Sequence, residues 1–148
     1  MVILEQHPAF FMFINNILKV NFTPDNAKVI SSVTEDGKIM GVTAFSRFSE
    51  HNCELSVAST TPRFMTKQYL EAVFHYPFVT CKKRRITAII EDDNLNAQKV
   101  DKELGFVYEA RLKNWYGDKD GIVMRMLEEE CNWIKGRQPE RRKKHASA

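Results

Sequence analysis

The sequence predicts an α/β (α+β) fold: a twisted, mostly antiparallel sheet of about six strands with flanking helices. Three observations carry this. The first half holds short β-branched runs separated by turn residues, the pattern of an antiparallel meander. The second half changes period, with a nearly all-apolar strand set between two helical stretches. The apolar supply is ample, at 43% hydrophobic residues and ten Phe in 148 residues. Six Gly and five Pro are too few for a collagen-like or low-complexity chain.

Each element has a local reason. Residues 8–19 (PAFFMFINNILK) place Phe10, Phe11, Ile14, Ile17 and Leu18 at helical spacing on one face, behind a Pro suited to a first turn. Residues 26–34 (NAKVISSVT) read as a strand, Asp36-Gly37 as a hairpin turn, and residues 38–48 as the partner strand. Residues 51–59 (HNCELSVAS) make a third strand, with Cys53, Leu55 and Val57 on one face. Thr66 suits the N-cap of a helix running to about Phe78, with Leu70, Val73, Phe74 and Phe78 inward and Pro77 bending or ending it. Residues 85–91 (RITAIIE) read as a central strand. Residues 94–104 form a helix stopped by Gly105, and residues 107–113 and 122–127 make a last hairpin.

Charge is unevenly placed. Residues 135–145 hold six Lys/Arg and one Glu, leaving 16 basic against 18 acidic residues elsewhere. The reading is one domain over residues 1–134 and a basic tail over 135–148 that is expected to be disordered. Cys53, Cys81 and Cys131 are odd in number and widely spaced, which points away from a disulfide framework or a zinc site and suits a reducing cytoplasm. No metal and no membrane partner are expected. The longest apolar stretch is too short to span a bilayer, and the first residues lack a basic n-region.

Residues 85–109 (RITAIIEDDNLNAQKVDKELGFVYE) resemble the GNAT (Gcn5-related) N-acetyltransferase superfamily in a strand, an Asn, a helix and then Leu-Gly-Phe. The spacing of Asn94, Ala97, Gly105 and Phe106 is nearest the branch that acetylates ribosomal-protein N-termini. A weaker likeness, through Glu130, Cys131 and Trp133, is to acetyltransferase-like proteins of tailed phages. The resemblance covers about residues 26–130 and is specific over 84–110. It implies a parallel pair between the third strand and residues 85–91, joined by a helical crossover. It also implies acetyl-CoA as acyl donor, with its pantetheine arm between those two strands against the backbone of Val57, Ala58 and Ser59. Asn94 either bonds that arm or caps its own helix, with Ala97 just beyond. The diphosphate is expected on the loop Arg63, Phe64, Met65, Thr66, Lys67, Gln68. There Arg63 matches the family's pattern, but Thr66 and Gln68 replace small residues. Helix N–H groups bind anions without glycine, and Thr66 and Lys67 add a hydroxyl and a charge.

Direct acetyl transfer needs a base for the ammonium proton and sometimes an acid for the leaving thiolate. Glu54 is the candidate base, or else a solvent-facing strand carboxylate; Glu50 and His51 are weaker. Where the family often has a Tyr acid this chain has Asp101, read as ionised at neutral pH and so a poor acid. Tyr108 and Tyr116 are substitutes, or packing residues. Lys82–Arg85 reads as a solvated turn, or as a contact for a phosphate or nucleic acid. The acceptor is expected to be a primary amine, protein or small molecule, and the assembly a monomer or homodimer. Two other classes compete: a GNAT-fold binding or structural protein without catalysis, and a nucleic-acid binder working through the basic tail.

Overall fold

The computed structural model describes residues 1–134; the expected tail lies outside them. The elements are β1 (Val2–Ile3), α1 (Pro8–Leu18), β2 (Ala27–Val33), β3 (Ile39–Ser46), β4 (Asn52–Ser59), α2 (Lys67–His75), β5 (Arg85–Glu91), α3 (Leu95–Leu104), β6 (Val107–Leu112) and β7 (Gly121–Leu127). One sheet runs in the order β1-β2-β3-β4-β5-β7-β6. It has seven strands, one more than the sequence predicts. The addition is two-residue β1, which pairs with Ser31 and Ser32 and is too short to show a period. All neighbours are antiparallel except β4 and β5.

The sheet is covered on both faces. Phe10, Phe11 and Ile14 of α1 pack on Val29, Val42, Ala44 and Ala58. Fully burying each such side chain is worth about 1.5–3 kcal/mol, which is how an eleven-residue helix holds its place. Ile17, expected on the inner face, is 44% exposed instead. On the other face Leu70, Val73, Phe74 and Phe78 pack on Phe45, Leu55, Ile86 and Met126. Tyr69 joins them almost completely buried. Pro77 ends α2 as expected, but the chain continues through a wide π-type turn over Tyr76–Thr80 rather than stopping.

The ends of α3 are firmly set. Asn94 Oδ1 accepts the Ala97 N–H at 3.1 Å, and Gly105 closes the helix at φ 113°. The Phe106 N–H reaches Asp101 O at 2.9 Å, and Trp133 Nε1 donates to Leu104 O at 2.8 Å. Among the described residues no helix is long and apolar enough to cross a membrane.

Candidate functional site: a gap in the sheet with a cavity on each face

β4 and β5 are paired over only three positions, Asn52 with Arg85, Cys53 with Ile86 and Glu54 with Thr87. Beyond them the strands part. β4 keeps its bonds to β3 as far as Ser59, and β5 keeps its bonds to β7 as far as Glu91. Their facing edges beyond Glu54 and Thr87 therefore lack each other as partners. Backbone N–H and C=O groups at such an edge are available to an amide-bearing ligand.

A cavity of about 520 Å³ opens on the α2/α3 side of this gap, lined by Val57, Ser59, Phe64, Met65, Tyr69 and Ala97 among others. A smaller one, about 240 Å³, lies on the α1 side between Leu18, Val20, Ser56, Glu91, Asn94 and Tyr116. The two share Leu55, Val57, Ala97 and Asp101, so they meet through the sheet.

The residues expected to hold the acyl donor are partly gathered here. Val57, Ser59, Phe64, Met65 and Ala97 line the larger cavity, and Asn94 and Ala97 the smaller. Asn94 is committed to capping α3. Ala58 turns its side chain into the α1 core, so only its backbone is open to a ligand. Arg63, Thr66, Lys67 and Gln68 are exposed beside the larger cavity and do not line it. Thr66 caps α2 as the sequence predicts, its hydroxyl accepting the Tyr69 N–H at 3.1 Å. That hydroxyl is thus taken up by its own helix. Among the described residues no acceptor meets the N–H groups of Lys67 and Gln68. The bulk at the loop is absorbed by Phe64, buried edge-on against Tyr69 with ring centroids 5.5 Å apart. Gly41 makes this possible, since a Cβ there would fall 2.5 Å from the Phe64 ring.

These features fit acetyl-CoA. The gap offers an open strand edge to the amide-rich arm, and the larger cavity gives it room. The Thr66 hydroxyl takes up the Tyr69 N–H, while the N–H groups of Lys67 and Gln68 meet no acceptor among the described residues.

Glu54 lies on the α1 face of β4, opposite Cys53 and Leu55, as alternation predicts. It does not line either cavity, but Ser56, two residues on along the same face, lines the smaller one. Arg47 Nε stands 3.5 Å from its carboxylate. Burial raises the Glu54 pKa and the nearby Arg47 charge opposes this. The weaker candidates Glu50 and His51 pair with each other at 3.8 Å in an exposed turn. Tyr108 is 53% exposed on the edge strand β6 and lines neither cavity. Cys53 is core, its thiol pushed up to about 12 by burial.

Asp101, at the position of the family's acid, lines both cavities, and burial pushes its pKa up to about 7. A signal was present in the sequence: Ala97, Val100, Asp101 and Leu104 form one helical stripe, and Asp101 is its only charged member.

No protein-family model matches the chain, and no curated protein matches it by sequence. Solved structures do. A spermidine N-acetyltransferase SpeG chimera from Vibrio cholerae and hSSAT superposes with a TM-score of 0.70 at 12% identity, over 86% of this chain and 95% of that one. Spermidine/spermine N-acetyltransferase SpeG from Vibrio cholerae, in complex with manganese ions, gives 0.67 at 13% identity, over 87% and 92%. Ribosomal-protein-S5-alanine acetyltransferase from Vibrio fischeri gives 0.59 at 21% identity, over 74% and 64%. At these identities the likeness is one of fold, and the fold is that of GNAT acetyltransferases.

Proposed function

We propose that this GNAT-fold chain is an acetyl-CoA-dependent N-acetyltransferase that moves an acetyl group to a primary amine by direct attack in a ternary complex. The observation that carries this is the meeting of two cavities through one gap in the sheet. Two substrates entering from opposite faces touch there and nowhere else. The resemblance of residues 84–110 and the fold likeness to amine acetyltransferases support the same reading.

The acyl donor belongs in the larger cavity, where it supplies a thioester carbonyl for attack. Val57, Ala58 and Ser59 offer it backbone groups along β4, while Phe64, Met65 and Ala97 give apolar contact. Arg63, Lys67 and the N–H groups of Lys67 and Gln68 suit its phosphates. Asn94 acts by fixing the start of α3. The amine belongs in the smaller cavity. Its cationic form is attracted by Glu54 beyond Ser56, while the Glu91 carboxylate beside it is already paired with Lys119 at 3.0 Å. Glu54, with its raised pKa, is the base that takes the ammonium proton. An acidic body around the site suits such an acceptor, whether a polyamine or a protein N-terminus.

A second reading, a binding protein without catalysis, is favoured by the side chains that replace small residues at the phosphate loop. One experiment separates the two. The chain is incubated with acetyl-CoA and a panel of polyamines and N-terminal peptides, and free thiol release and acetylated product are measured. Product formation with matching thiol release supports transfer. Saturable acetyl-CoA binding without product supports the second reading.

A further inference from the structure

The smaller cavity has a neighbour. A third cavity, about 720 Å³, is lined by Phe22, Asp25, Asn26, Lys28, Arg47 and Phe48 among others. Val20 lines both. The Arg47–Glu54 pair bridges them, with Arg47 Nε 3.5 Å from the carboxylate. Ser56 and Glu54 lie on one face of β4, and their partners on β3 are Ala44 and Ser46, the latter just before Arg47. Arg47 therefore stands three residues along β3 from the level of Ser56, roughly 10 Å.

The third cavity has a fixed wall. Asn15 Nδ2 donates to Phe22 O at 2.9 Å, and Asn15 Oδ1 accepts the Phe22 N–H at 2.8 Å. Asn26 ties the same loop from its other end, accepting the Thr23 N–H at 2.8 Å and donating to Asn21 O at 3.1 Å. Arg47 itself has a left-handed backbone, φ 48°, which glycine adopts far more freely. Backbone strain of this kind clusters at ligand sites.

Charge decides what fits. Lys28 and Arg47 line the cavity, against the one carboxylate of Asp25. Among the described residues Lys28 has no ion pair and Arg47 has only Glu54. A guanidinium carries five N–H donors, so Arg47 keeps donors for a second carboxylate.

We propose that the acceptor is an acidic peptide N-terminus. Its amine occupies the smaller cavity, and a side-chain carboxylate of its second or third residue meets Arg47 and Lys28. The proposal rests on the acetyl-transfer reading above for the fate of the amine. An extended chain advances about 3.3–3.6 Å per residue, so two to three residues span the distance. A free amino acid is too short, because its carboxylate is one carbon from its amine. A polyamine sets a second ammonium against Lys28 and Arg47. Arg47 is thus a specificity residue, and proton removal stays with Glu54.

Calorimetry of the wild-type chain, with and without CoA, tests this on three C-terminally amidated peptides: Ala-Asp-Asp-Ala-Ala, Ala-Asn-Asn-Ala-Ala and Ala-Lys-Lys-Ala-Ala. The acidic peptide should bind about tenfold more tightly than its amide counterpart, and the lysine peptide more weakly than either. In the double variant Lys28→Gln, Arg47→Gln the acidic and amide peptides should bind alike. Equal binding of these two by the wild type, binding of none, or a preference that survives in the double variant overturns the proposal. The wild-type comparison needs no variant, and circular dichroism confirms that the variant folds. A product assay with acetyl-CoA tests the underlying reading separately. Selective binding of the acidic peptide without product removes acetyl transfer and leaves the acidic-peptide site standing. Faster acetylation of spermidine or the amide peptide keeps acetyl transfer and removes the acidic acceptor.

Discussion

The two faces of the sheet at the β4–β5 gap are built differently. The α2/α3 side is large and walled mainly by apolar groups, strand edge and a helix start. The α1 side is less than half the volume and carries Glu91, with Glu54 nearby. One face suits an extended amide-bearing anion and the other a compact cation. The difference teaches that the sheet here is a partition, and that the gap is where the two cavities meet. Among the described residues Asp101 is the one ionisable side chain that lines both cavities.

Closing the passage should have the largest effect. Ala97 lines both cavities, so Ala97→Trp should remove acetyl-CoA binding and cut turnover by more than about a hundredfold, as misplacement of reacting groups does. Calorimetry and product assay check both. Disturbing the α1 side alone should separate the faces. Glu54→Gln should lower kcat by about a hundredfold and leave acetyl-CoA affinity unchanged; unchanged kcat would remove Glu54 from the base role.

Asp101 links the passage to stability. A carboxyl with a raised folded pKa costs the folded state stability as pH rises from the unfolded value of 3.8 to about 7, and no more beyond. Asp101→Asn should therefore raise the melting temperature at pH 8 and do so much less at pH 4, read by thermal scans. On the α2 face, Gly41→Val should cost about 1–3 kcal/mol, because its side chain meets the Phe64 ring. The smallest effect is expected at the α3 start. Asn94→Ala loses the cap on the Ala97 N–H and should cost about 1 kcal/mol in denaturant unfolding.

Much of this was legible from residues. Asp36-Gly37, Thr66, Asn94 and Gly105 stand at turns and caps because their chemistry is local, and the structure uses each as expected. The periods in residues 8–18 and 85–104 placed the helices and central strand for the same reason. Strand β1 was not legible, since its pairing depends on distant Ser31 and Ser32. Nor was the burial of Asp101 beside the gap, which depends on how α3 packs there. The burial of Phe64 likewise depends on Gly41, twenty-three residues earlier in the chain.

The central claim is that the β4–β5 gap admits an acyl donor from one face. Its most direct test is calorimetric titration of acetyl-CoA into the wild type and Ala97→Trp. The account predicts saturable one-to-one binding to the wild type and none to the variant. No heat from the wild type at millimolar acetyl-CoA, or equal binding by both, would contradict it.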